Sequence, residues 1–117
     1  MSLTVFEGLQ SEIYVPITPK SVFTPVTKPL SEMVIALASA CGAHLKTDKR
    51  FNLAGDTTYR EIPDNTPTDD LMISHGGYDN SDANRDINCM FPLDRLHELV
   101  KEGFIKATAP THFGFMG

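Results

Sequence analysis

The densest run of chemistry-bearing residues is His75-Gly76-Gly77-Tyr78-Asp79-Asn80-Ser81-Asp82. Glycines permit close backbone approach and positive φ. His75, Asp79 and Asp82 could orient a small polar ligand, and a histidine beside a carboxylate can work as general acid or base. Histidine and aspartate also suit zinc or iron. Yet no two histidines stand at i, i+4, no Cys-x-x-Cys occurs, and residues 79–86 lack the glycine and closing glutamate of a calcium loop. The segment is a candidate ligand loop with no metal assigned. The competing reading is a loop held by Asx-turns and helix caps.

Ser39-Ala40-Cys41-Gly42-Ala43-His44 is the second candidate. Here His44 could reach a ligand, or serve a tight turn by bonding to backbone. Cys41 is the more loop-like cysteine, with no cationic neighbour in sequence before Lys46; a buried, inert thiol is the commoner fate. Cys89 stands among apolar residues and is expected in the core. His97 is expected on the solvated face of a helix, and His112, beside Phe113, in a packing role. Arg85, set among aspartates, is expected to pair with them. A P-loop, a Gly-x-Gly-x-x-Gly and a Gly-x-Ser-x-Gly are all missing. Asn88-Cys89 alone is weak grounds for self-cleavage to a pyruvoyl group.

These residues need elements to hold them. Met33 to Ala38 is a continuous apolar run, which predicts a strand buried on both faces of a parallel sheet. Ligands in open α/β sheets sit at the carboxyl ends of such strands. Thr57–Ile62 alternates as a short strand, and Leu71–Ser74 is a second apolar run ending at His75. Asn80–Asp86 has room for one helical turn, and Ile87–Phe91 reads as a short strand or connector. Pro92–Glu102 is the clearest helix: proline opens it, Leu93, Leu96, Leu99 and Val100 share a face, and Gly103 stops it. Phe104–Thr108 reads as a strand. Strand, helix, strand suggests βαβ units, hence an α/β fold with a small, mostly parallel, Rossmann-like but incomplete sheet and flanking helices. Residues 1–30, with a proline every few positions after Val15, are expected as an extended arm on the 31–117 domain.

The 117 residues amount to one domain. With 41% hydrophobic and 21% charged residues the chain is expected to be globular. Its net charge of −5 argues against a nucleic-acid backbone binder. No apolar stretch is long enough for a transmembrane helix. The first ten residues lack a basic n-region, so no signal peptide is predicted, and two distant cysteines do not make a disulfide framework. A cytoplasmic chain with reduced thiols is the expectation. The aromatic, glycine-rich stretch 111–117, with no covering helix after it, suggests the first part of a longer polypeptide or an end that a partner covers.

Five segments in order carry a family resemblance: Pro-Leu-Ser-Glu (29–32), Gly-Ala-His-Leu (42–45), Gly-Asp-Thr-Thr-Tyr-Arg-Glu-Ile-Pro (55–63), Ile-Ser-His-Gly-Gly-Tyr-Asp (73–79) and Arg-Asp-Ile-Asn-Cys-Met-Phe-Pro-Leu-Asp-Arg-Leu (85–96). Together with Phe-Gly-Phe-Met-Gly (113–117), they resemble the selenoprotein B family. Its members are the B components of glycine, sarcosine and betaine reductases and the related D-proline reductase subunit. The resemblance covers about residues 15–117. It implies reductive cleavage of a carbon–nitrogen bond in an amino acid or N-methylated amine, with a dithiol as electron donor. It also implies cytoplasmic complexes with other reductase subunits. The family's selenocysteine, or its cysteine replacement, would lie beyond Gly117 in a U-x-x-C-like loop. Cys41 and Cys89 match no such motif, so no catalytic residue and no cofactor is carried over to this chain. His44, His75, Asp79 and Asp82 remain candidate substrate-side residues. An exposed sheet edge could pair two copies. Two other readings compete: a stand-alone small-ligand-binding α/β module, and a metal-dependent hydrolase using the same four residues.

Overall fold

The computed structural model describes residues 23–117. The expected arm falls mostly on residues 1–22, outside those described; its last part, 23–29, is exposed and forms no regular element. The strands are β1 (Val34–Ile35), β2 (Ala38–Ser39), β3 (Ala43–Leu45), β4 (Tyr59–Pro63), β5 (Leu71–Ile73), β6 (Ala107–Thr108) and β7 (Thr111–Phe115). The α-helices are α1 (Ser81–Arg85) and α2 (Leu93–Lys101), and short 3-10 turns occupy Leu30–Glu32, Thr68–Asp70 and Ile87–Cys89.

The fold is α/β, but its sheets are mixed rather than mostly parallel. β1 runs parallel to β6 and β2 parallel to β7, whereas β4 pairs antiparallel with β7 and β3 antiparallel with β5. The Rossmann-like expectation is thereby corrected. The chain returns from α2 to pair with its own amino-terminal run, which satisfies the βαβ pattern locally. The remaining pairings join β3 to β5, each only three residues long, and β4 to β7.

The apolar run 33–38 is also not a doubly buried strand. Val34 is exposed and Ile35 half-buried, and the run is split into β1 and β2. The reason is a ladder interruption. Leu37 N–H donates to the ring Nδ1 of His112 at 2.9 Å rather than to a backbone carbonyl. Across this break the register moves by two residues, from Ile35 opposite Thr108 to Ala38 opposite Phe113. Pro110, which has no amide to offer, lies in the extra length.

The core lies between these sheets. Ile62, Phe91, Leu93, Ala43, Leu71 and Ile73 are essentially sealed from solvent. β3 crosses β7 so closely that a Cβ at Gly114 would strike the Ala43 carbonyl, so this position requires glycine. Gly42, at φ +88°, turns the chain into β3. Its amide donates to Phe115 O at 2.8 Å and its carbonyl accepts from Ser74 N–H at 3.0 Å, tying the end of β7 to the end of β5.

The helix expected over 92–102 forms as α2. Leu93 and Leu96 are buried, while Leu99 stays partly exposed. Asn88 and Asp94 bond reciprocally at its start, at 2.8 and 3.0 Å, and Gly103 ends it at φ +80°. Cys89 lies in the preceding 3-10 turn and is exposed, correcting its expected place in the core; Cys41 is buried. Among the described residues, no helix is long and apolar enough to cross a membrane.

Candidate functional site

The four histidines separate by what their ring nitrogens meet. His44 sits on β3 opposite Met72 and is fully buried, rather than lying in a loop. Its Nδ1 faces the Leu45 carbonyl at 2.7 Å and must donate. Its Nε2, 2.8 Å from Ser74 Oγ, therefore accepts. Phe51 covers its edge, with ring centroids 5.8 Å apart. Both nitrogens are used, and His44 is not among the residues lining the cleft described below.

His112 is equally buried. Its Nδ1 accepts from Leu37 N–H, which leaves Nε2–H to donate to Asp64 Oδ1 at 2.7 Å. His97 on α2 donates to the same oxygen at 2.8 Å, so it is engaged rather than merely solvated. Thr108 Oγ donates to the other carboxylate oxygen at 2.7 Å. Asp64 thus fastens α2, β6 and β7 to the end of β4. Burial pushes its carboxyl up, but the bonds from His112, His97 and Thr108 outweigh this and lower it below the usual 3.8.

His75 differs. It is partly exposed, and only Nδ1 is engaged, accepting from Gly77 N–H at 2.8 Å. That bond places the proton of the neutral ring on Nε2, which has no protein partner among the described residues. Tyr78 packs on the ring at 4.7 Å between centroids, and its hydroxyl donates to Cys41 O at 2.7 Å. The loop 39–44 and the loop after β5 therefore meet. Burial, then the Cys41 thiol, pushes the Tyr78 hydroxyl up from its ordinary value. The two glycines have separate reasons. A Cβ at Gly76 would strike the Leu53 carbonyl, and one at Gly77 would lie 2.8 Å from His75 Cε1.

His75 lines an open cleft of about 250 Å³ together with Arg50, Phe51 and Leu53 from the stretch before β4, Met72, Ile73 and Ser74 from β5 and its end, and Asn80 and Asn84 from α1 and its start. The two asparagines are spent on structure. Asn84 bonds both the amide and the carbonyl of Ile73, at 2.8 and 3.0 Å, extending the edge of β5, and Asn80 Nδ2 donates to His75 O at 3.1 Å. Arg50 has no side-chain partner among the described residues.

Asp79 and Asp82 are outside this cleft. Asp79 accepts from the Ser81 hydroxyl and from Ser81 N–H at 3.0 Å, and these bonds, the hydroxyl's first, lower its carboxyl below the ordinary value. Asp82 pairs with Arg85 at 3.1 Å across exposed α1, as expected for that arginine. Both carboxylates serve the start of a short helix. No group of three or more histidine, cysteine or acidic residues is placed to hold a metal among the described residues.

Sequence reasoning missed Arg50 and the Asp64 cluster. Lys49-Arg50-Phe51 lies in a stretch that reads only as polar and turn-forming. Arg60 next to it is absorbed elsewhere, stacking 4.3 Å over Phe51 and donating to Lys49 O at 2.9 Å.

Comparison with known proteins gives a consistent answer. The profile of the glycine/sarcosine/betaine reductase selenoprotein B family matches residues 6–117. The chain is 64% identical over 115 residues to D-proline reductase subunit gamma of Acetoanaerobium sticklandii, covering 98% of this chain and 48% of that protein. It is 29% identical over 105 residues to sarcosine reductase complex component B subunit beta of Peptoclostridium acidaminophilum, covering 85% of this chain and 24% of that protein. The chain thus spans half or less of the curated relatives it matches. No solved structure gives a significant match.

Proposed function

Because the chain belongs to the glycine/sarcosine/betaine reductase selenoprotein B family, we propose that it forms part of a reductase subunit that opens D-proline by cleaving a carbon–nitrogen bond. The observation that carries this reading is the 64% identity to the D-proline reductase subunit, against 29% to the sarcosine reductase subunit.

In the proposed reaction the carbon–nitrogen bond breaks and carbon and nitrogen each gain a hydrogen. The two electrons come from a dithiol, which leaves as a disulfide. Neither cysteine of this chain is assigned to that step: Cys41 is buried, and Cys89 is exposed without a paired thiol. The contribution proposed for these residues is on the substrate side, through the cleft beside His75. Other subunits of the reductase are the proposed partners, and the cytoplasm the proposed location.

The test is dithiol-dependent consumption of D-proline, sarcosine, glycine and betaine by the assembled reductase containing this chain. D-Proline loss with one dithiol oxidised per ring opened is the expected result. Turnover of another substrate with D-proline untouched, or turnover of none, overturns the proposal.

A further inference from the structure

We infer that Arg50 and His75 form an anion clamp in the cleft, and that its ligand is a small carboxylate with a compact apolar body. The chain carries a net charge of −5, yet no carboxylate lines this cleft. The lining residues that carry a charge or a titratable ring are Arg50, which is exposed, and the half-buried His75. Arg50 has no ion pair or hydrogen bond from its side chain among the described residues, while Arg60, Arg85 and Arg95 are all paired. With Nδ1 accepting from the Gly77 amide, the neutral His75 ring presents Nε2–H as a donor. Two unspent donors are therefore on offer, one a planar fork suited to a carboxylate.

Phe51, Leu53, Met72 and Ile73 supply the apolar part of the wall, and the Ser74 hydroxyl beside them is spent on His44. The asparagine amides that could have read a polar body are bonded to backbone instead. A volume of about 250 Å³ suits a ligand of amino-acid size. The anion chemistry stands on these residues alone. That the carboxylate belongs to the reductase substrate rests on the function proposed above.

The test uses cyclopentanecarboxylate, which has a five-membered ring and a carboxylate but no reducible carbon–nitrogen bond. It is titrated into the full chain while the His75 ring resonances are followed by NMR. Saturable shifts are expected, with cyclopentylmethanol giving none and inorganic phosphate binding at least about tenfold more weakly. Arg50→Gln should weaken carboxylate binding by about tenfold or more, and Arg50→Lys by less, since it keeps charge but loses the fork. Equal binding of the alcohol, or unchanged affinity in Arg50→Gln, overturns the clamp. D-Proline turnover by the assembled reductase separates the two claims. Arg50-dependent binding of the probe without D-proline turnover retains the clamp and removes the proposed substrate. Turnover with a KM unaltered by Arg50→Gln does the reverse.

Discussion

The Asp64 cluster and the Arg50–His75 cleft both set a histidine ring among polar side chains, and the rings end in opposite states. In the cluster, His112 has a partner on each ring nitrogen, and Asp64 receives three donors from three elements. In the cleft, the hydrogen bonds run from asparagines and glycine to the loop itself, and a guanidinium and one ring nitrogen are left to solvent. Saturation marks a histidine as part of the scaffold. An unspent donor over an apolar wall marks one free to meet a ligand. His44 falls on the scaffold side despite lying one strand away from His75.

That contrast is open to direct attack. The largest effect is expected for His112→Ala, which opens a cavity against Phe91 and strands the Leu37 amide. A loss of about 3 kcal/mol in chemical denaturation is expected. A loss under about 1 kcal/mol would mean that the cluster does not hold the sheets together. Asp64→Ala should follow at about 2 kcal/mol, since its partners on α2 and β6 can turn partly to water. The two losses should not add, because both break the same bond.

Acid should act through the same carboxylate. Asp64 ionises more readily in the folded chain than in the unfolded one. Its contribution is therefore complete above the unfolded value near 3.8 and fades as pH falls through the lower folded value. Stability measured from pH 6 to pH 2 should drop less steeply in Asp64→Ala than in the wild type. Asp56, held at about 2 by the Thr58 hydroxyl and then the Asn52 and Thr58 amides, adds to the drop in both proteins. The smallest effect on stability is expected in the cleft, where His75→Ala should stay within about 0.5 kcal/mol. Gly77→Ala should displace the His75 ring and so sharpen the distinction: ligand binding falls while its own melting changes little.

Part of this was legible from residue types alone. Pro92 and Gly103 frame α2, and the leucines between them place its buried face, because a helix of that length repeats its pattern. The run 71–74 and the alternating 57–62 both became strands. The family was legible as well, since segments such as Ile-Ser-His-Gly-Gly-Tyr-Asp keep both residues and order. The pairing was not. A strand of two or three residues shows no period, and only His112 reaching Leu37 explains why 33–38 is broken in two. His44 and His75 looked alike in sequence, each following small residues and an apolar run. The difference is Ser74 and Phe51 closing over one of them, which is a tertiary fact. Asp64 and Arg50 lie in polar stretches where no spacing sets them apart from their neighbours.

Everything proposed for this chain turns on its holding an amino-acid substrate through the cleft beside His75. Calorimetric titration of the chain with D-proline, glycine, sarcosine and betaine tests it most directly. Saturable heat is expected with D-proline, weaker or no heat with the other three, and loss of the D-proline signal in Arg50→Gln. Absence of heat with all four, or an undiminished D-proline signal in Arg50→Gln, would contradict it.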